Sequence, residues 1–464
     1  PDTGYWKGRL SYFAASPGNG GGFWGYFAMC TKKKGKLGNM CMGFCIVRLG
    51  AKCYDVRGNG TNGKGVGGYM MRKVLAVLLV LCMTAGLASC KGGKKEEPGL
   101  AETEEGQEEA APLGNQIYVM TAAPDHGWTG QGAAYAAAFV DEINMGIHGD
   151  YAATHYIADN GETQNEQVQE ILANQDAAGV MFWGCDEAAG EGQQALTDAG
   201  IPWISYDRII ESTMNGAVLN YSGDNWQSGV AVAYYLITNG MTPDSTLVQF
   251  SGDASTVSER RLEGFQRFLM GQEDYYDAEG DRIYTMEEVN QGKIWTQEEV
   301  DRLCTENYFE YNCEWSNEKA KEYIESNLPS WIEAAKSTDH TMFIFSMDDE
   351  MSMAFLEVLS GDVFDESVKG ELEALTVYMS AVGGMEEMYA VLRGDNQELC
   401  AAADTYFDGL MSVYYNPVMT QTAIQKLLDY LEGTWDYVLG AEDYEPVFIV
   451  DSENVKEYEG FIGR

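Results

Sequence analysis

Three groups of residues in this 464-residue chain have types and spacings that could do chemistry. The first is Leu87-Ala88-Ser89-Cys90, behind the basic pair Arg72-Lys73 and an apolar run from Val74 to Leu87. A short positive segment, an apolar run and small residues before a cut site mark a secretory signal. Leu-Ala-Ser-Cys has the form of a bacterial lipobox, in which the thiol is lipidated and the cysteine becomes the new N-terminus. A lone membrane helix is the alternative, but 74–87 is short for a span, which needs ~20 apolar residues. The second group is Cys30, Cys41, Cys45 and Cys53; zinc is the chemistry to consider, but the spacings match no standard finger and no histidine accompanies them. The third is Asp277, Glu279, Asp281 and Glu288, at positions 1, 3, 5 and 12 of a calcium-loop pattern. Position 6 demands glycine and holds Arg282, which favours a solvated acidic loop. No metal and no cofactor is expected.

Charge divides the chain at the same place. Residues 1–89 carry 12 Lys and Arg against two acids, Asp2 and Asp55, leaving 18 basic and 70 acidic residues in the remainder, a net of −52. So acidic a body excludes binding to nucleic acid through phosphate contacts. It is also repelled from anionic lipid, so attachment to a membrane falls to the lipid on Cys90. Residues 70–90 are expected to be the signal peptide, with the start at Met70 or Met71, and residues 1–69 to be upstream sequence. Residues 91–113 are Gly, Glu, Ala and Pro with almost no large apolar side chain, a linker that cannot fold alone. Export permits disulfides: Cys304 with Cys313 is the expected local pair, free thiols the alternative.

About 350 residues remain, a length that suggests two lobes. From Asn115 strand and helix patterns alternate, as in a parallel sheet with crossover helices. Strands are expected at 116–120, 154–158, 180–183 and 202–206, with helices at 132–143, 164–173 and 190–199 between them. Beyond Asn225 the alternation restarts: helices at 227–238, 257–270, 318–328 and 351–359, strands at 246–251, 342–346, 375–380 and 446–450. The fold class is α/β, two doubly wound parallel-sheet lobes.

Several stretches resemble, in order, the ribose/galactose-type periplasmic sugar-binding proteins that serve bacterial ABC importers. They are Gly200-Ile201-Pro202 running to Asp207-Arg208, Asp224-Asn225 with Gly229, Arg261-Leu262-Glu263-Gly264-Phe265, and Asp348-Asp349-Glu350-Met351-Ser352. The resemblance implies a type I binding-protein fold with three crossings, near Asp224, Tyr414 and Ala441. The first lobe would be 114–224 with 415–441, the second 225–414 with 442–464.

It also implies one ligand in the cleft. A sugar needs flat apolar faces for its C–H surfaces and fixed planar groups for its hydroxyls, at the carboxyl ends of the strands. Asp125, His126 and Trp128 follow the first strand, in a loop where the family carries aromatics and polar groups; Trp128 would cover one sugar face. Asp207 and Arg208 end another strand and are the best polar candidates, a plain salt bridge being the alternative. In the second lobe the candidates are Arg260, Arg261, Trp315 as the second stacking ring and Asp348 where the family has Asn; Tyr415, where the chain returns to the first lobe, is the last. Two departures alter the pattern: Ser380-Ala381-Val382-Gly383 lacks the family's ligand Asp, and Tyr414-Tyr415-Asn416-Pro417 lacks its hinge Gln.

The expected role is a monomeric, lipid-anchored, extracytoplasmic protein delivering a small sugar to an ABC permease. A lipoprotein presenting a sugar, nucleoside or sugar-like signal to a membrane sensor kinase or chemoreceptor is the alternative. An enzyme is not expected: there is no Gly-x-Ser-x-Gly elbow, no His-Glu-x-x-His and no P-loop.

Overall fold

The computed structural model describes residues 114–463 apart from Asp125, His126, Glu279, Asp281, Asp436 and Tyr437. Cys90, the apolar run before it, the linker and the preamble lie outside the described residues, as do the site candidates Asp125 and His126. In the first lobe the order is β1 (Gln116–Ala122), α1 (Gly127–Asn144), β2 (Ala152–Ala158), α2 (Gly161–Asn174), β3 (Ala177–Trp183), α3 (Gly190–Asp198), β4 (Trp203–Tyr206) and β5 (Leu219–Gly223). The chain then crosses to α4 (Asn225–Thr238), β6 (Thr246–Ser251) and α5 (Thr256–Leu269). An inserted stretch follows: β7 (Tyr275–Tyr276), β8 (Ile283–Tyr284), α6 (Met286–Val289) and α7 (Gln297–Leu303). The second lobe continues with β9 (Tyr308–Asn312), α8 (Asn317–Ser337), β10 (Thr341–Ser346), α9 (Asp349–Ser360), α10 (Glu366–Glu373), β11 (Thr376–Gly383), α11 (Glu386–Arg393), α12 (Gln397–Tyr406) and β12 (Gly409–Tyr414). Last come α13 (Met419–Leu431), β13 (Glu442–Glu445) and β14 (Ile449–Val450).

Two six-stranded sheets result, in the orders β13-β5-β4-β3-β1-β2 and β14-β12-β11-β10-β6-β9. Within these two sheets all pairings are parallel except β12 with β14, while β7 and β8 form a separate antiparallel pair. Helices cover both faces, so central strands are apolar runs without alternation; every residue of β3 is buried. Side chains of Asn160, Asp224 and Asp348 accept backbone N–H groups at the starts of α2, α4 and α9, donors a helix end otherwise leaves unpaired. No helix among the described residues is long and apolar enough to cross a membrane.

Four expectations are corrected. Helix α1 starts five residues before the expected 132, so Trp128 stands in a first helical turn and not in a loop. Helix α8 does not stop at 328 but runs through Pro329 to Ser337. Proline forfeits one backbone bond there, and burial of Leu328, Trp331, Ile332 and Ala335 on one face offsets it. The third crossing lies at 446–448 rather than at Ala441, because Glu442–Glu445 still pairs with β5 in the first sheet. A run of acids reads as loop, yet charges suit an edge strand: Asp443 takes Lys426 at 2.7 Å and Glu445 takes the Tyr221 hydroxyl at 2.5 Å. Cys304 and Cys313 are free thiols; β9 separates them, with Cys304 at the end of α7 and Cys313 beyond the strand's far end. In the acidic insertion, Glu288 caps α6 with Thr285, which gives that carboxylate a structural task.

Candidate binding cleft

The ends of β1, β4, β6, β10, β11 and β12 converge on one cavity, about 390 Å³ including the part open to solvent. It is lined by Trp128, Thr129, Asp207 and Arg208 from the first lobe, by Val257, Arg261, Trp315, Asp348, Val382 and Gly383 from the second, and by Tyr415 of the crossing between them. Six expected residues besides Tyr415 are therefore brought together: Trp128, Asp207, Arg208, Arg261, Trp315 and Asp348.

Aromatic rings form the walls. Trp128 Nε1 donates to the Tyr415 carbonyl at 2.8 Å, and the two rings lie 5.4 Å apart. Trp183 meets Trp128 edge-on at 5.3 Å and supports it from the core. Tyr415 lies on Gly223, where an added Cβ would sit 2.2 Å from the ring. Trp315 lies on Gly252, where a Cβ would sit 2.0 Å from the indole. Both walls can stand where they do because residues 223 and 252 have no side chain.

The polar groups are fixed. Arg261 is buried with its guanidinium 4.8 Å from the Tyr415 ring and 5.6 Å from that of Trp315. Such stacking suits a guanidinium better than an ammonium. Its Nε donates to Asn225 Oδ1 at 3.0 Å and another arm donates to the Met347 carbonyl. Asp207 Oδ1 accepts from the Tyr415 hydroxyl at 2.8 Å. Burial, then the charge of Asp207, holds that hydroxyl well above its ordinary pKa, so it stays a donor. Asp348 accepts from Glu350 N at 2.7 Å as the cap of α9. Two carboxylates and two guanidiniums thus face one space, a balance suited to a neutral, hydroxyl-rich molecule.

Two arginines do otherwise than expected. Arg260 is outside the cavity: its guanidinium packs 4.4 Å over Trp226 and stands 3.7 Å from Glu442. Successive residues on a helix point about 100° apart, so α5 can aim only one of the pair at the cleft, and it aims Arg261. Arg208 reaches the rim, but its arms go to Asp253 Oδ2 at 3.0 Å and the Cys185 carbonyl at 2.5 Å.

Some of the site was missed. Thr129, Val257, Val382 and Gly383 carry no signature, being small or apolar. Asp349 had one, standing in the Asp348-Asp349-Glu350 stretch. It is buried behind the cavity, where it accepts from Met385 N at 2.7 Å and Ser412 Oγ at 2.8 Å. Burial pushes its carboxyl up to about 7. Its bonds hold the turn of Gly383 and Gly384, both at positive φ, where the family's ligand Asp was missing. Among the described residues no cluster of His, Cys, Asp and Glu could hold a metal ion.

Residues 117–434 match the family model described as "Periplasmic binding protein domain". A search of curated protein sequences finds no match. Among solved structures, a Chloroflexus aurantiacus carbohydrate transporter solute-binding protein in complex with D-glucose aligns at 17% identity and a TM-score of 0.52, covering 74% of this chain and 94% of its own. A Caulobacter myo-inositol-binding protein aligns at 18% and 0.51, covering 74% and 97%. The binding component of an arabinose ABC transporter from Shewanella sp. ANA-3 aligns at 14% and 0.51, covering 74% and 93%. The chain belongs to the periplasmic binding protein family.

Proposed function

We propose that this periplasmic binding protein captures a small neutral sugar or polyol between its lobes and delivers it to the permease of an ABC importer. In this reading the protein is exported and held to the outer face of the cell membrane by lipid on Cys90, works as a monomer, and binds without catalysing a reaction. One observation carries it: aromatic faces from opposite lobes, Trp128 and Trp315, border a cavity whose fixed charges balance. Stacking faces with planar donors and acceptors suit a polyhydroxylated ring. The likeness to proteins solved with D-glucose and myo-inositol points the same way.

Closure is the mechanism. Trp128 and Asp207 hang from one lobe, Arg261, Trp315 and Asp348 from the other, so a ligand touching both sets favours the closed form by its differential affinity for it. The test is a thermal-shift screen of the purified protein against pentoses, hexoses, disaccharides, polyols and nucleosides. A ligand at a hundredfold excess over Kd adds about 2.7 kcal/mol to the native state, a visible rise in midpoint. A response to one sugar or polyol is expected. A response to nucleosides alone would overturn the ligand class, and silence across the panel would turn attention to the sensor reading.

A further inference from the structure

We propose that the ligand of the cleft is a 6-deoxyhexose, and that Val257 and Val382 select it by receiving its methyl group where other hexoses carry a hydroxymethyl. The inference rests on the sugar-capture reading above and narrows it to one class of sugar.

A ring stacked between Trp128 and Trp315 offers its two faces to the indoles and its edge to the rest of the wall. On the second-lobe side that wall is uneven. Sheet order places β10 between β6 and β11. Asp348, just after β10, therefore stands between Val257, in the first turn of the helix that follows β6, and Val382, near the end of β11. All three line the cavity. The valines are 6% and 1% exposed, so a ligand group set against them is cut off from water.

The polar side chains nearest each valine along the chain are already committed. Thr256 Oγ1 donates to the Ile209 carbonyl at 3.2 Å, and Ser258 Oγ accepts from Asp253 N at 3.3 Å. Residues two apart on a strand face the same side, so Ser380 shares a face with Val382, and its Oγ donates to the Ile344 carbonyl at 3.0 Å. Gly383 follows, and a Cβ there would press on Asp349 Oδ2 at 3.0 Å. This end of β11 thus meets the ligand with an isopropyl group and bare backbone. A ligand hydroxyl placed here would give up its water and gain no partner. A methyl group forgoes nothing and buries apolar surface. On a hexose ring the hydroxymethyl arm projects furthest from the edge, so its oxygen is the one this wall excludes. The ring hydroxyls keep the fixed charges of Asp207, Arg261 and Asp348.

Titration calorimetry of the purified full chain with matched sugars tests this: D-glucose against 6-deoxy-D-glucose, D-galactose against 6-deoxy-D-galactose, and L-mannose against 6-deoxy-L-mannose. Each pair differs by a single oxygen. In the tightest-binding pair the deoxy member should bind about ten- to a hundredfold more tightly, the range an apolar pocket achieves against an added hydroxyl. Val382→Thr exchanges a methyl for a hydroxyl at nearly constant volume and should cut that ratio at least threefold. Val257→Thr gives a second reading should the first variant fail to fold. A parent hexose that binds as tightly as its deoxy partner in that pair would overturn the inference and leave sugar capture standing. A ratio unchanged in both threonine variants would overturn the role of the valines. Binding of none of the six sugars would overturn the inference as well, and the wider thermal-shift screen then decides whether sugar capture falls with it.

Discussion

The two tryptophan walls of the cleft are built by opposite means. Trp128 stands in the first turn of a regular 18-residue helix, tied by its indole N–H to Tyr415 and backed by Trp183. Trp315 stands at φ +59°, straight after Glu314 at φ +49°, with its ring flat on Gly252. A bulky residue in the left-handed region costs about 1–3 kcal/mol and persists only where its surroundings over-determine it. Distributed helix packing holds the first wall. The second rests on a strained backbone geometry, a Glu314 N–H donated to the Gly252 carbonyl at 2.7 Å, the absence of one methyl group, and the Arg261 guanidinium 5.6 Å from its ring. The second wall should therefore be the brittle one.

Adding one methyl on each side gives the largest contrast. Gly252→Ala puts a Cβ 2.0 Å from the Trp315 indole, so the ring must leave its seat. Gly132→Ala, in α1, puts one 2.9 Å from the outer ring of Trp183, behind the first wall. The first change should cost about 2 kcal/mol in stability and move the second wall into the cavity, weakening ligand binding at least tenfold. The second should be near neutral, because the better helix propensity of alanine, about 1 kcal/mol, offsets the tighter contact. Calorimetric affinity and the thermal midpoint measure both. Equal losses would refute the comparison. In a Trp315→Leu background the cost of Gly252→Ala should shrink, a coupling only neighbours show.

A smaller effect probes the other brittle part of that lobe, the Gly383–Gly384 turn held by Asp349. With its carboxyl raised by burial to about 7, against about 4 in an unfolded chain, the folded protein binds an extra proton between those values. Stability from this group is therefore full below about 4 and is lost as pH rises through 7. Asp349→Asn removes that dependence. The midpoint of the wild type minus that of the variant should rise as pH falls from 8 to 5, the subtraction removing the general titration of so acidic a chain. A constant difference would mean that Asp349 is not a buried carboxyl of raised pKa.

The same contrast marks how far the sequence could be read. Strand ends and the Asp207-Arg208 and Arg260-Arg261 pairs were legible, because apolar runs ending in charges locate the carboxyl edge of a parallel sheet. Which arginine serves the cleft was not, since only the rotation of α5 turns Arg261 inward and leaves Arg260 on Trp226. Nor could spacing show that Arg208 is engaged across the cleft by Asp253, 45 residues further along. The glycines under Trp315 and Tyr415 are invisible in one dimension, for what they contribute is a missing atom beside a distant ring. Strand β13 was concealed by its charges: an edge strand uses acids for pairing with Lys426 and Tyr221, while composition alone reads them as loop.

The smallest expected effect is none, and it bears on the same wall. Cys313 lies two residues before Trp315, and a bond from it to Cys304 would brace the strained backbone covalently. Both are free thiols, so a reductant should leave the thermal midpoint unchanged. Burial pushes the Cys313 thiol up to about 12, which keeps it protonated at neutral pH and slow towards alkylating reagents. It should react fully only in denaturant, and equally with or without prior reduction. A midpoint that falls on reduction would mean that the second wall is stapled after all, and that packing on Gly252 is not what holds Trp315 in place.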